Sequence, residues 1–401
     1  MKSYISAWPQ SASLPEFPRS LAILGSTGSI GVSALKVVAK HPELFTVTAL
    51  AGGRNAARLA EQCERFRPRY VAVLDDAVRN DFLSRLPEGY HPEVLTGPEG
   101  YTTLASLNEA SLILSAIVGA AGFAPTFAAA QAGKMIALAN KESLVLGGHV
   151  IRAACRKSGA VILPVDSEHN ALFQGLCGHG EKDEEISRLI LTASGGPFRG
   201  KDRAFLSTVT KAQALAHPNW SMGAKISVDS ATLMNKGLEI IEACHLYGLP
   251  VSQVDAVVHP QSIVHSLVEY VDGSQLAHMG TPDMQVPIAH CLCFPHRVTV
   301  DVKRLNLAQI GTLTFEPPAP EAFPCLRLAR EAFDAGPSHA NVLNAANEVA
   351  VAAFLEERIG YLDIPAVIEA ALDRHASVDV STPEAILELD SEVRAEVQAS
   401  L

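Results

Sequence analysis

Asp166 and Glu168 are the residues of this chain whose type and spacing most directly suggest chemistry. They follow the apolar run 161–163, which predicts a buried strand of a parallel sheet. Residues two apart on extended backbone point to the same side, and open α/β sheets bind ligands at the carboxyl ends of their strands. Two carboxylates that converge there repel each other unless a proton or a divalent cation such as Mg²⁺ lies between them. The alternative is that Asp166 caps a helix and Glu168 occupies its first turn.

A second polar segment, residues 230–242, carries a further acid and a cation. If it is helical, Lys236 and Glu239 lie three residues apart on one face. Asn235 and Lys236 could then hold a phosphate, and Glu239 could be a third oxygen ligand of the cation. The alternative is a surface ion pair, and spacing does not choose between Glu239 and Glu242 as the ligand.

The glycine-rich run 25–31 lies between a predicted strand at 20–24 and a predicted helix at 32–38. Strand, glycine turn and helix in this order are the context in which backbone N–H groups bind the pyrophosphate of a dinucleotide. The spacing is GxxGxxG rather than GxGxxG, and the alternative is an ordinary strand-to-helix turn.

Arg54 follows the second predicted strand, 45–50, where a site for NAD usually places an acid. An arginine in this position suits the 2′-phosphate of NADP, with Arg58 one turn later as a second cation. The alternative for Arg54 is a solvated surface side chain.

Two loops in the middle of the chain add polar groups. Ser194 and the two glycines after it follow a predicted strand and can form an anion-binding turn. His217 and Trp220 lie in a loop bracketed by proline and glycine, which is typical of a lid that closes and excludes water. The alternative is a surface loop pinned by one buried indole.

The elements that must position these residues fall into three groups. Strands and helices alternate to about residue 165, which predicts a doubly wound parallel sheet. Further strands and a hairpin around Asp272-Gly273 predict an α+β unit. The C-terminal part is predicted to be helical at 341–358, 364–375 and 383–399. The predicted division is a flexible tail at 1–19, domains at 20–165 and 166–293, a linker at 294–319 and a helical domain at 320–401.

Composition limits the function classes. The net charge of −11, with no long basic stretch, argues against nucleic acid as a partner. The seven cysteines contain no CxxC pair and read as reduced cytosolic thiols, which favours a cytoplasmic protein. No apolar run reaches transmembrane length, so no membrane partner is expected. Residues 1–19 lack both the apolar core of a signal peptide and the arginine-rich amphipathic pattern of a transit peptide. They are predicted to be a flexible tail, and the alternative is a targeting segment.

Taken in order, six motifs of this chain resemble those of the 1-deoxy-D-xylulose 5-phosphate reductoisomerase family. They are GSTGSIG at 25–31, NKES at 140–143, DSEH at 166–169, SGGPF at 194–198, HPNW at 217–220 and NKGLE at 235–239. The similarity extends from about residue 20 to the C-terminus. It implies a Rossmann-like NADPH-binding domain, an α+β catalytic and dimerisation domain, a C-terminal helical bundle and a homodimer.

The resemblance also implies the activity: an enzyme that rearranges a sugar phosphate, 1-deoxy-D-xylulose 5-phosphate, and reduces it with NADPH to 2-C-methyl-D-erythritol 4-phosphate. It assigns the divalent metal (Mg²⁺, Mn²⁺ or Co²⁺) to Asp166, Glu168 and Glu239, which form the catalytic set with Lys141 and His217. Glu168, Glu239 and His217 would also contact the substrate, with Lys141, Ser167, Ser194, Trp220, Ser230, Asn235 and Lys236. The implied NADPH contacts are Thr27, Gly28, Ser29, Ile30, Gly53, Arg54, Asn55, Asn140, Glu142, Gly223 and Met284.

Two rival functions use the same fold. A different NADP-dependent dehydrogenase, of the semialdehyde or homoserine type, would not need the three acids for activity. A non-catalytic protein that senses NADP would bind the cofactor and turn nothing over.

Overall fold

The computed structural model describes residues 5–6, 14–177, 183–220, 222–319 and 321–401. Its first sheet has seven parallel strands: β1 (Arg19–Leu24), β2 (Phe45–Ala51), β3 (Tyr70–Val73), β4 (Glu93–Thr96), β5 (Leu112–Ser115), β6 (Met135–Leu138) and β7 (Val161–Pro164). The spatial order is β4-β3-β2-β1-β5-β6-β7, so the direction of winding reverses between β1 and β5. The predicted doubly wound sheet is confirmed.

Six helices connect these strands: α1 (Ser29–Lys40), α2 (Ala56–Phe66), α3 (Asp76–Ser84), α4 (Gly97–Ser106), α5 (Phe123–Gln131) and α6 (Lys141–Ser158). The inner strands read as continuous apolar runs because helices cover both faces of the sheet. Side chains of β1 alternate between the two faces, so that Ala22 and Leu24 belong to one apolar layer and Leu21 and Ile23 to the other.

The second part of the chain builds a four-stranded mixed sheet in the order β11-β10-β8-β9. Its elements are α7 (Ser167–Leu176), β8 (Ile186–Ala193), α8 (Arg203–Leu206), α9 (Lys211–Leu215), α10 (Ala224–Thr232), α11 (Met234–Tyr247), β9 (Val254–Val258), β10 (Val264–Tyr270), β11 (Gln275–Met279) and α12 (Gln285–Cys293). The predicted hairpin is present as β10 and β11, with Gly273 in the left-handed region at φ +83°.

Helix α12 packs on the first sheet, although the sequence-based division assigns it to the second domain. Ile288, Cys291 and Leu292 are fully buried in the same apolar layer as residues of α1. Arg19 at the start of β1 donates to the Leu292 carbonyl at 2.8 Å. The apolar face of α12 therefore completes the cover of the first sheet.

The C-terminal helices are α13 (Leu307–Ile310), α14 (Cys325–Ala335), α15 (Pro337–Leu355), α16 (Asp363–Arg374) and α17 (Pro383–Ser400). Thr382 caps α17 by accepting a hydrogen bond from the Ala385 N–H. α15 is buried along most of its length and shares one apolar cluster with α6 and α11.

The N-terminal segment differs from the flexible tail predicted at 1–19. The Ile5 N–H donates to Leu246 O at 2.9 Å, and the Ile5 carbonyl accepts from the Ile162 N–H at 3.0 Å. The Ile5 side chain is 4% exposed. Composition alone did not reveal this attachment, because one apolar residue with backbone pairing on both sides leaves no periodic pattern. Residues 1–4 and 7–13 lie outside the described part of the chain.

None of the helices in the described segments combines the length and apolar character that crossing a bilayer requires. All seven cysteines are free, and six of them are buried.

Candidate active site

Three carboxylates converge where β7 ends. Asp166 directly precedes α7, Glu168 lies in the first turn of α7, and Glu239 comes from α11. Oxygen atoms of the three side chains lie within 4.8 Å of one another. Asp166 occupies the N-cap position, but its side chain makes no capping hydrogen bond. The helix-cap alternative for Asp166 is therefore not what the structure shows.

Two lysines balance this acidic set. Lys141, the first residue of α6, contacts Asp166 and donates to Glu239 at 3.0 Å and to the Asn235 amide oxygen at 2.9 Å. Lys236 contacts Glu239 and donates to Glu168 at 3.0 Å. The surface ion-pair alternative for Lys236 and Glu239 is wrong, because both side chains are buried.

The electrostatics of the cluster follow from its burial. Burial and the nearby charge of Glu239 raise the pKa of Glu168 to about 8. Burial would lower the pKa of Lys141, but the carboxylates of Asp166 and Glu239 outweigh that effect and raise it well above its usual value. Ionisable groups with strongly shifted pKa values that face one another are typical of a functional site. Here the ammonium groups of the two lysines offset the repulsion between the carboxylates.

Glu242 lies one turn beyond Glu239 and faces a histidine. Its Oε2 atom is 3.4 Å from Nδ1 of His169, and both side chains are fully buried. The other ring nitrogen of His169 donates to the Glu239 backbone carbonyl at 2.8 Å. A second set of possible ligand atoms within 4.8 Å is therefore Asp166, His169 and Glu242. His169 was missed by the sequence reasoning, although it lies three residues after Asp166, in the first turn of α7.

A turn of positive-φ glycines follows β8 and lies against the end of α10. Gly195 and Gly196 have φ values of +83° and +67°, and the Gly196 N–H donates to Ser194 Oγ at 3.2 Å. A Cβ added to Gly196 would lie 2.7 Å from the Ser230 carbonyl oxygen, so the turn packs against the end of α10. The turn that begins at Ser194 therefore adjoins Ser230, and Asn235 lies in the first turn of the next helix, α11. Ser167 donates to Glu168 at 2.5 Å and lies among the acids instead.

The loop from His217 to Trp220 is tied to this turn through the His217 ring. Nε2 of His217 lies 2.9 Å from Ser194 Oγ, while Nδ1 accepts the backbone N–H groups of Asn219 and Trp220. Nδ1 therefore carries no proton, and Nε2 is the donor to Ser194. Burial lowers the pKa of His217, which favours this neutral form. Ser221 lies outside the described residues.

The glycine-rich turn after β1 has the shape that a dinucleotide site needs. Gly25 has φ +86°, and a Cβ on Gly31 would lie 2.4 Å from the Ser26 Cα atom. The N-terminal residues of α1 thus pack directly on the turn and leave free backbone N–H groups at its opening. The turn is at the switch point between β1 and β5, where doubly wound sheets bind ligands.

The turn after β2 lies next to the glycine turn. Arg58 donates to the Thr27 carbonyl at 3.3 Å, and Asn55 caps α2 by accepting from the Arg58 N–H. Arg54 is exposed, and its side chain makes no hydrogen bond or ion pair with the described residues. The predicted residues of these two turns are therefore adjacent: Thr27, Gly28, Ser29 and Ile30 in the first, Gly53, Arg54 and Asn55 in the second.

The other predicted cofactor contacts come from three helix starts. Asn140 caps α6, and its amide donates to Gly119 O and to Glu142, each at 3.0 Å. Glu142 is also paired with Lys225 at 2.8 Å, a partner that sequence reasoning missed. Gly223 and Met284 hold the N-cap positions of α10 and α12.

Comparisons with protein families match most of the chain. Residues 21–148 match the family model described as 1-deoxy-D-xylulose 5-phosphate reductoisomerase. Residues 162–247 and 279–396 match two models of reductoisomerase C-terminal domains.

Similar proteins carry the same name. The chain is 58% identical over 398 residues to 1-deoxy-D-xylulose 5-phosphate reductoisomerase of Oleidesulfovibrio alaskensis, covering 98% of this chain and 97% of that protein. It is 54% identical to the one of Lawsonia intracellularis, covering 98% of each.

Solved structures of high similarity include ligand complexes. A DOX-P reductoisomerase in complex with NADPH, fosmidomycin and magnesium is 44% identical, with a TM-score of 0.91 over 95% of this chain and 98% of that chain. The Zymomonas mobilis enzyme in complex with NADPH is 42% identical, with a TM-score of 0.89 over 96% and 99%.

Proposed function

This chain belongs to the 1-deoxy-D-xylulose 5-phosphate reductoisomerase family, and we propose that Asp166, Glu168 and Glu239 form its active site. The protein is an NADPH- and divalent-metal-dependent enzyme that converts 1-deoxy-D-xylulose 5-phosphate to 2-C-methyl-D-erythritol 4-phosphate. The observation that carries the site assignment is the convergence of three acidic side chains within 4.8 Å at the end of β7.

The three acids fit a hard divalent cation. They offer oxygen ligands only, and their mutual repulsion is already relieved by the ammonium groups of Lys141 and Lys236. A bound divalent cation supplies Lewis-acid polarisation of the carbonyl and hydroxyl oxygens of the substrate. Lys141 would then lie beside the reacting oxygens of the substrate, where its ammonium group would donate a hydrogen bond. The carboxylates of Asp166 and Glu239 raise its pKa in the structure described here.

The substrate phosphate is assigned to the turn at Ser194 and to the adjoining helix ends. Consecutive positive-φ glycines point backbone N–H groups into one concavity, which is how such turns bind anions. Ser230, Asn235 and Lys236 add two further donors and a positive charge from α10 and α11. His217 joins this group through Ser194, and Trp220 would lie over the substrate when the loop excludes water.

NADPH is assigned to the switch point, where it supplies the hydride. The helix start at Ser29 would bind the pyrophosphate, and Arg54 would pair with the 2′-phosphate because its side chain is exposed and uncommitted. The side-chain oxygen of Asn55 caps α2, and we therefore assign Asn55 a role in fixing the shape of this turn. Met284 would lie near the nicotinamide.

The proposal includes a cytoplasmic homodimer. One face of the second sheet is covered by α7 and α11, while the other carries half-buried apolar residues such as Leu267 together with the 47%-exposed Phe315. Arg188 and Asp255 lie on the same face and pair at 3.2 Å. An apolar patch with fixed charges of both signs suits a second copy of the same surface related by two-fold symmetry.

The test is the loss of NADPH absorbance on addition of 1-deoxy-D-xylulose 5-phosphate, with and without Mg²⁺ or Mn²⁺. We expect consumption of NADPH only when metal is present, and much weaker use of NADH. Equal consumption after chelation of the metal would favour the simple dehydrogenase. Tight NADPH binding without turnover in the presence of metal would favour the sensing protein.

A further inference from the structure

A polar cluster away from the acids joins the C-terminal helices to the first sheet. Helix α15 contributes Asn344, Asn347 and Glu348 to one face. Asn344 donates to Glu348 at 3.1 Å, and Asn347 donates to the buried Asp229 of α10 at 3.0 Å. Such polar groups are costly inside a protein, and an apolar interface would hold the helices together equally well.

Glu348 reaches from this cluster to the loop that follows β5. Its Oε1 accepts the backbone N–H of Ala120 at 3.1 Å. Gly119, the preceding residue, has φ +74°, and a Cβ added there would lie 3.1 Å from both carboxylate oxygens of Glu348. From the other side, the Asn140 amide donates to the Gly119 carbonyl at 3.0 Å. The loop is thus held by hydrogen bonds on both sides, from α15 on one side and from the start of α6 on the other.

The carboxylate of Glu348 is itself held in one orientation. Arg394 of α17 donates to its Oε2 at 2.8 Å. The same guanidinium makes two hydrogen bonds to Asp390, at 2.6 and 3.0 Å. The Glu348 side chain is 16% exposed, so solvent screens this ion pair only partly. Two helices of the C-terminal bundle therefore define where the Ala120 N–H lies.

The same loop, which follows β5, forms one wall of the dinucleotide site. A Cβ on Gly25 would lie 2.4 Å from the Ala116 carbonyl oxygen, so the glycine turn and the loop after β5 touch through their backbones. A displacement of the loop by a few tenths of an ångström would reach the glycine turn directly, because close-packed backbone contacts transmit strain.

We propose that Glu348 is a positioning residue for the cofactor: through the Ala120 N–H, the C-terminal helices hold the loop after β5 in the form that binds NADPH. This inference rests on the proposed function. Glu348 touches neither the three acids nor the phosphate turn, so its removal should weaken NADPH binding and spare the metal.

The test compares Glu348→Gln with wild type in the full-length protein. We expect the Kd for NADPH, measured by fluorescence titration without substrate, to rise roughly 2- to 30-fold, the range for network residues away from a ligand. The affinity for Mn²⁺, measured by calorimetry, should be unchanged. Arg394→Gln should also raise the Kd for NADPH. It replaces Glu348→Gln as the test variant if Glu348→Gln does not fold. Glu331→Gln, which breaks the exposed pair with Arg327 in the same bundle, is the matched control.

An unchanged Kd for NADPH together with a lowered melting temperature would overturn the proposal, because Glu348 would then only stabilise the bundle. Equal weakening of NADPH and Mn²⁺ would also overturn it, since it would indicate a general disturbance. Failure of the wild-type protein to bind NADPH would instead refute the proposed function.

Discussion

Glu239 receives the densest set of contacts in the carboxylate cluster, since Lys141, Asn235 and Lys236 all donate to its two oxygens. Replacing Glu239 or Asp166 by its amide keeps the shape and removes one of the negative charges to which we assign the metal. We expect turnover to fall at least about 100-fold, because changes to groups merely supporting a metal ligand already cost 10- to 100-fold. NADPH affinity, measured by titration, should stay near normal, and high Mn²⁺ should restore part of the rate.

The control for these variants must be an acid outside the cluster. Glu242→Gln is unsuitable, because Glu242 is fully buried against His169 and burial raises its pKa to about 7. Glu331→Gln, which breaks only an exposed pair with Arg327 in α14, should retain wild-type turnover in the same assay. Normal turnover of both Asp166→Asn and Glu239→Gln at low metal would remove the acids from the active site.

His217 makes the neighbouring loop sensitive to pH. Burial lowers its folded-state pKa below the unfolded value of about 6.5, so the native contacts are complete above that pH and are lost as pH falls through the lowered value. Protonation of Nδ1 would turn this acceptor into a donor, which would then face the N–H groups of Asn219 and Trp220 and break both hydrogen bonds. Fluorescence of Trp220 in a Trp8→Phe background should report this release. The His217→Asn variant should give a flat profile, and a flat wild-type profile would contradict the prediction.

At the scale of elements, the glycine turn depends on close backbone packing against α1. Gly31→Ala would place a methyl group 2.4 Å from Ser26 Cα, and overpacking of this kind costs about 1–3 kcal/mol. We expect a lower free energy of unfolding in urea and weaker NADPH binding. Gly53→Ala is the matched change, because a Cβ there meets no atom within 4 Å and stability should change by less than about 0.5 kcal/mol. Equal losses of unfolding free energy from the two substitutions would show that the contact between Gly31 and Ser26 does not limit stability.

How far the sequence predicts an element depends on how completely that element is buried. Strand β7 could be predicted because each of its residues is buried, which gives a continuous apolar run. The site could be predicted with it, because two of the acids directly follow this strand. Strand β4 gives no comparable signal, because it lies at the sheet edge with its side chains partly exposed, which leaves no continuous apolar run. The choice between Glu239 and Glu242 could not be made from spacing, since one turn of α11 separates them and only the partners on α7 tell them apart.

For the whole molecule, the open face of the second sheet predicts the oligomeric state. Leu267→Glu would place a charge within the apolar patch of each copy, and we expect sedimentation to shift from dimer to monomer. Val271→Glu, at a 66%-exposed position in the adjoining hairpin turn, should leave the dimer intact. A wild-type protein that sediments as a monomer would contradict the proposed homodimer.

The N-terminal segment gives a second test at this scale. Removing residues 1–13 takes away the buried Ile5 side chain and its backbone pairing with Leu246 and Ile162. Burial of an aliphatic side chain of this size is worth about 1.5–3 kcal/mol, so the melting temperature should fall measurably. Ile5→Ala should account for much of the change in calorimetry. An unaltered melting temperature would restore the view of a dispensable tail.

The positions of the two sites along one sheet set a length requirement. The glycine turn follows β1 and the acids follow β7, with β5 and β6 between them. Three inter-strand steps amount to roughly 14 Å. A cofactor that is anchored at the glycine turn and reacts at the acids must lie across the ends of β5 and β6. The distance between the two sites therefore sets the minimum length of a cofactor that can react. An adenine-bearing fragment of the cofactor is too short to span it. Such a fragment would therefore displace NADPH yet bind together with a phosphonate that chelates the metal.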